Sequence, residues 1–283
     1  MKQPAKSRYV PYLLLAPANV LFLALVVSAL MVLRLSFGEK NLEWGAWTLN
    51  NYASLRDGIF ISGFLRTLRL TIVVTAIVLV ISFPISLLYA RLNSMALKRL
   101  ILFIILLPLF LNQLLQSYGW IILLGPTGVI NNLLVGNGLL SRPARLLYSE
   151  FGVTIAMVQM AIPLAVLPIS SAMRNIPPSY EEAAAILGAR RLRVLWEVVI
   201  PLSRPGIWAA FLLVSAFNIS AFVIPLLLGG GRVSTVPMLI RDQMGPLLNW
   251  PQGAALAVAL VLFALGAQRL PSLLRRIAGR LAS

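Results

Sequence analysis

The chain contains no cysteine and no histidine. The first absence excludes disulfides and thiolate metal sites. The second removes imidazole as a ligand, a general base or a switch near neutral pH. Acidic side chains are scarce as well: 8 Asp and Glu stand against 24 Lys and Arg, a net charge of +16 over 283 residues. None of the acids lies inside the long apolar runs, so no buried carboxylate pair is available for acid–base chemistry. No glycine-rich stretch has the lysine and spacing of a phosphate-binding loop. Gly125-Pro126-Thr127-Gly128, Gly136-Asn137-Gly138 and Gly229-Gly230-Gly231 read as turns instead, with a short helix between the first two over Val129–Val135. Internal repeats, low-complexity segments and long linkers are also missing.

What is present is apolar surface. A 59% apolar content, 11% charged residues and a mean hydropathy of +0.89 exclude an ordinary soluble domain. Crossing a bilayer takes about 20 apolar residues. Charge-poor runs of that kind lie at about residues 10–33, 68–90, 100–124, 151–173, 205–229 and 246–268. They predict an all-α membrane protein in which residues 1–283 form a single domain of six transmembrane helices. The first run follows Lys2, Lys6 and Arg8 as in a signal peptide, but exceeds the usual h-region of about 7–15 residues and is expected to stay as a span. With the N-terminus inside, 15 of the 24 basic residues fall on the cytoplasmic side. The positive-inside rule then places both termini in the cytoplasm and accounts for the basic excess without nucleic acid. Trp44, Trp47 and Tyr52 suit an interfacial belt or docking surface outside, and Pro271–Ser283 reads as a basic tail at the inner leaflet.

The cytoplasmic stretch of residues 176–207, IPPSYEEAAAILGARRLRVLWEVVIPLSRPGI, carries the densest charge between runs. Ser179 and Glu182 have capping-box spacing. Gly188 sits where a left-handed residue closes a helix over Tyr180–Leu187. A second helix is expected from Arg190 to Val199, stopped by Pro201. Its apolar face is Leu192, Leu195, Trp196 and Val199, with Arg191, Arg193 and Glu197 elsewhere. Two short helices at a sharp bend form a docking element; the other reading is an amphipathic helix lying on the membrane.

Polar side chains inside spans are costly and tend to face a water-filled path or another helix. In the third run Asn112, Gln113, Gln116, Ser117 and Trp120 share one helical face, with Tyr118 beside it and Pro108 as a kink just before. Gln159 in the fourth run, and Ser215 with Asn218 in the fifth, are further candidates. A solute path and interhelical amide bonding both fit these residues.

Glu182-Ala183-Ala184, three residues, Gly188, nine residues and Val198-Val199-Ile200-Pro201 resemble the EAA loop of bacterial ATP-binding-cassette (ABC) importer permeases. Val198 and Ile200 replace the pattern's Ile and Leu. Residues 66–92, 116–134 and 220–232, with the Asn249-Trp250-Pro251 segment, resemble permeases of the spermidine/putrescine type. The resemblance implies a MetI-like, type I transmembrane domain in the bacterial inner membrane. It implies a second homologous permease subunit, two ATPase subunits that hold ATP and Mg, a periplasmic solute-binding protein and surrounding lipid. No catalytic residue, metal site or cofactor is expected in this chain. Ser179, Glu181, Glu182, Ala183, Ala184, Gly188 and Pro201 would couple to the ATPase. A polyamine is the solute the resemblance suggests, with Trp120 and Tyr118 offering cation–π faces. The missing carboxylates leave amino acids, opines and organic anions open. An ion-coupled secondary transporter would need membrane-embedded acids, and a membrane enzyme would need catalytic groups that the runs lack.

Overall fold

The computed structural model describes residues 10–40 and 47–281, with side chains at 15–40 and 47–269. Lys2, Lys6, Arg8 and Trp44 lie outside the described residues, as do the side chains of the basic tail from Pro271 onward. The helices are α1 (Val10–Leu35), α2 (Asn50–Ala53, continued by a 3-10 turn), α3 (Gly58–Arg91), α4 (Met95–Phe110), α5 (Gln113–Leu124) and α6 (Val129–Gly136). They are followed by α7 (Glu150–Arg174), α8 (Pro178–Ile186), α9 (Arg191–Val194), α10 (Ile200–Ile219), α11 (Val223–Gly229), α12 (Val236–Met244) and α13 (Trp250–Leu281). Six helical segments among the described residues are long and apolar enough to cross a membrane.

Two compact units are present. The first takes residues up to Gly58 together with Leu239–Leu262. Here the N-terminal helix is exposed along Leu15–Leu33, while the chain beyond it is pinned by polar contacts. Asn51 Nδ2 donates to the Ser36 and Gly38 carbonyls at 3.0 and 2.8 Å, and Gln252 Nε2 donates to the Asn51 carbonyl at 3.2 Å. Trp47 and Tyr52 both stack on Phe37, with centroids 5.7 and 5.1 Å away, and Arg34 lies 4.0 Å over the Trp47 ring. Asn249 Oδ1 accepts the Gln252 amide at 3.4 Å and starts α13.

The second unit, Ile59–Met238 with the chain from Phe263, holds the apolar core. Its centre is α7, whose Val153, Ala156, Met157, Ala161, Ala165, Ile169 and Met173 are fully shielded. Helices α4, α5, α10 and α11 all pack on it. The closest crossing is with α10 at Gly206, where a Cβ would lie 2.5 Å from Ala172 Cβ and 2.6 Å from the Pro168 carbonyl oxygen. Only glycine permits that approach.

Two predicted spans are divided. The third run breaks at Leu111–Asn112 instead of bending through it. Asn112 leaves the helix and caps α5, its Oδ1 accepting the Leu114 amide at 2.8 Å, a local bond that competes with continuing the helix. The fifth run breaks after Ile219 and restarts at Val223, with Pro225 in a first turn where its missing N–H costs nothing. Pro201 does not stop the preceding helix either. Leu195–Val199 form a π-turn, the Ile200 amide bonds the Leu195 carbonyl, and Pro201 occupies the first turn of α10. One helical rod thus runs from Arg191 to Ile219.

Candidate functional site

The docking element is built from α8, its closing turn and the α9–α10 rod. Helix α8 begins at Pro178, with Pro177 as its cap and no side-chain capping bond, so the expected capping box of Ser179 and Glu182 is not formed. Proline at the first helical position is already set for the helix and wastes no donor, which moves the start upstream of Ser179. At the other end Gly188 has φ +82°, the left-handed region. The Gly188 amide bonds the Ala185 carbonyl at 2.9 Å and the Ala189 amide bonds the Ala184 carbonyl at 3.0 Å. That is the paired closure of a Schellman turn, and it reverses the chain into α9.

The π-turn also changes which residues face inward. Val194 and Val199 are buried, while Leu192 and Trp196 are 72% and 68% exposed, so the apolar face predicted from a regular helix is split. The extra residue in the turn rotates the following positions relative to α periodicity. Ile186 and Leu187, 86% and 87% exposed, join Tyr180, Leu192 and Trp196 in an open apolar surface. Glu182, Ala183, Arg190, Arg191 and Arg193 are exposed on the same element. A concave surface of about 400 Å³, floored by Leu87, Val194 and Val199, is edged by Glu181, Glu182 and Arg191.

Arg91, absent from the predicted site, anchors this element. It is the last residue of α3, and its guanidinium forms an ion pair with Glu181 on α8. Its Nη1 also donates to the Ile176 carbonyl at 3.3 Å. The second span is therefore fastened to the first turn of the docking helix. Ninety positions separate Arg91 from Glu181, so spacing carried no signal for the pair.

The polar candidates of the spans separate into two groups. Gln116, Trp120 and Gln159 come together as a donor chain. Trp120 Nε1 donates to Gln159 Oε1 at 3.3 Å, Gln159 Nε2 donates to Gln116 Oε1 at 3.3 Å, and Gln116 Nε2 donates to the Pro108 and Leu111 carbonyls at 2.7 and 3.1 Å. This chain links α7 to α5 and satisfies carbonyls freed at the helix break. Ser117 is buried and donates to the Gln113 carbonyl at 2.8 Å; Gln113 is half-buried. Asn112 and Tyr118 are exposed and stand outside the chain.

Asn218 belongs to the second group. It is buried on α10, and its Nδ2 donates to Thr75 Oγ1 on α3 at 3.3 Å. Thr67, Thr71, Thr75, Ser82 and Ser86 form a buried hydroxyl stripe down α3 at spacings of four and seven. Thr71 Oγ1, Ser82 Oγ and Asn218 Oδ1 are shielded without a hydrogen-bond partner. A cavity of about 220 Å³ lies between Thr71, Thr75, Phe211 and Ser215. Hydroxyls recurring every fourth residue in a charge-poor run were the available signal for this stripe.

A family model described as the binding-protein-dependent transport system inner membrane component matches residues 82–276. The spermidine/putrescine transport system permease protein PotB of Haemophilus influenzae is 32% identical over 244 residues, covering 85% of this chain and 85% of the relative. PotB of Escherichia coli strain K12 is 31% identical, covering 76% and 78%. A putative 2-aminoethylphosphonate transport system permease protein, PhnU of Salmonella typhi, is 30% identical, covering 81% and 78%. Among solved structures, a chain of a bacterial alginate ABC transporter in complex with an alginate pentasaccharide-bound periplasmic protein superposes with a TM-score of 0.79 at 18% identity, covering 93% and 92%. The match in fold, the family model and the relatives agree, and the chain belongs to the binding-protein-dependent transport system inner membrane components, the permease subunits of ABC importers.

Proposed function

We propose that this permease subunit carries a polyamine across the inner membrane. It works with a second homologous permease subunit, two ATPase subunits and a periplasmic binding protein. The observation that carries the coupling part is the docking element: an open apolar surface around Ile186, Leu187, Leu192 and Trp196, held to the spans at both ends. An ATPase seated there moves α3 through Arg91–Glu181 and α10 through the unbroken rod from Arg191. Those two helices meet at Thr75 and Asn218, so displacement at the docking surface reaches the polar interior. This chain is non-catalytic in the proposal, and ATP and Mg bind in the ATPase. Basic residues flank the docking element and both termini are cytoplasmic, in accord with the positive-inside rule.

The solute assignment rests on the PotB relatives. Neutral oxygens line the candidate path, Gln159 and Gln116 in one group and Asn218 and Thr71 in the other; they can accept hydrogen bonds from an ammonium without holding it tightly. A second reading, a small organic solute such as an aminophosphonate, is favoured by the PhnU relative. ATPase activity of the lipid-reconstituted complex with its binding protein separates the two. Stimulation by spermidine or putrescine supports the first, and stimulation only by 2-aminoethylphosphonate or another anionic or zwitterionic solute replaces it.

A further inference from the structure

One groove of the second unit shares no lining residue with the docking surface or with the cavity at Thr71 and Ser215. It runs between α3 and α7, encloses about 540 Å³, and is floored by the buried Leu70 and Val158. Val73, Ile77 and Ile81 form one wall and Phe151 and Ile155 the other. From Leu70 to Ile81 it extends about 16 Å along the helix at 1.5 Å per residue. Apart from Thr154, one turn beyond Glu150, its length is apolar up to the mouth, where Arg69 and Glu150 line it.

The mouth carries excess positive charge. Glu150 lies 3.6 Å from Arg66 Nε and 3.4 Å from Arg69 Nη2, one carboxylate between two guanidinium groups. Arg66 also donates to the Arg232 carbonyl at 3.0 Å, whereas the Arg69 side chain is 72% exposed beside the groove. An elongated apolar slot ending in an exposed guanidinium matches one kind of bilayer component: an acyl chain joined to a phosphodiester. We infer that this groove is a binding site for an anionic phospholipid, with an acyl chain along Val73, Ile77 and Ile81 and its phosphate on Arg69. Glu150 offsets one of the two guanidinium charges, leaving a net positive mouth, and it holds Arg69 at the rim of the groove. Arginine suits the role because its planar fork presents several donors to phosphate oxygens. A soluble anion would use Arg69 but leave the apolar slot unfilled; a zwitterionic phospholipid would bring the phosphate together with a headgroup cation, which the excess positive charge at the mouth disfavours.

The test is native mass spectrometry of the assembled transporter in detergent, exposed to equal amounts of phosphatidylglycerol and phosphatidylcholine with identical acyl chains. The wild type is expected to retain phosphatidylglycerol in preference. Arg69→Gln is expected to bring that preference down about tenfold, a change of about 1.4 kcal/mol. Equal retention of both lipids by the wild type, or an unchanged preference in Arg69→Gln, overturns the site. Because the chain has no native cysteine, a benzophenone placed at Ile77→Cys reports the groove's occupant. Cross-linking to phospholipid supports the assignment, and cross-linking to a second polypeptide instead overturns it.

Discussion

Gly188 carries a backbone conformation that few other residues hold without strain, with φ +82° and no side-chain neighbour to restrict it. Its importance is conformational rather than steric. A left-handed position costs an L-residue about 1–2 kcal/mol, least for asparagine. Gly188→Val is therefore expected to distort the turn between α8 and α9 and uncouple hydrolysis from uptake, while Gly188→Asn retains most uptake. Radiolabelled uptake and phosphate release measured on the same vesicles distinguish the pair. Arg91 makes a second residue-scale case. Arg91→Gln loses the ion pair to Glu181 and is expected to lower solute taken up per ATP hydrolysed several-fold, with the complex still assembled on a sizing column. Equal stoichiometry in variant and wild type would show that α3 takes no part in coupling. Gln159 is the shared member of the Trp120–Gln116 chain. Interhelical hydrogen bonds in membranes average about 0.6 kcal/mol each, so Gln159→Leu is expected to lower the melting temperature slightly and uptake more strongly.

At the scale of elements, α7 and α10 define the interior because Gly206 lets them approach within contact distance of Ala172 and Pro168. Gly206→Val should force them apart. Overpacking commonly costs about 1–3 kcal/mol, and the expected result is a lower thermal unfolding midpoint with the docking surface unchanged. The same elements show where local signals suffice. Gly188 was legible because a helix closure depends on a few adjacent residues, and the short helix after Gly128 was legible for the same reason. The capping box failed because Pro178 was a stronger starter than Ser179, and the two compete for one helix end. Pro201 was misread as a stop because a π-turn just before it lets the rod continue, and no residue pattern announces that turn. Asn112 was placed on a helical face when its side chain is a cap. In each case two local preferences competed for the same few residues. The pairs Arg91–Glu181, Gln116–Gln159 and Thr75–Asn218 join distant positions, and only the assembled core makes them neighbours.

At the scale of the whole molecule, composition and charge determine the broad assignment. Few acids, no thiols and no imidazoles narrow the chemistry its side chains can perform. The hydrophobic runs were legible because membrane insertion depends on length and polarity, which composition reports directly. The substrate was less legible, since neutral amides and hydroxyls accept many solutes. The central claim is that the loop of residues 176–207 transmits ATP-driven motion to the spans. The most direct measurement is solute-stimulated ATPase activity together with uptake in liposomes holding the full complex, for the wild type and for Leu187→Asp. Leu187 is 87% exposed on the docking surface and supports no core contact, so its replacement tests docking rather than folding. The account predicts that the wild type shows both activities, and that the variant folds but loses ATPase association, stimulation and uptake together. A variant that binds the ATPase and transports at the wild-type rate would contradict it.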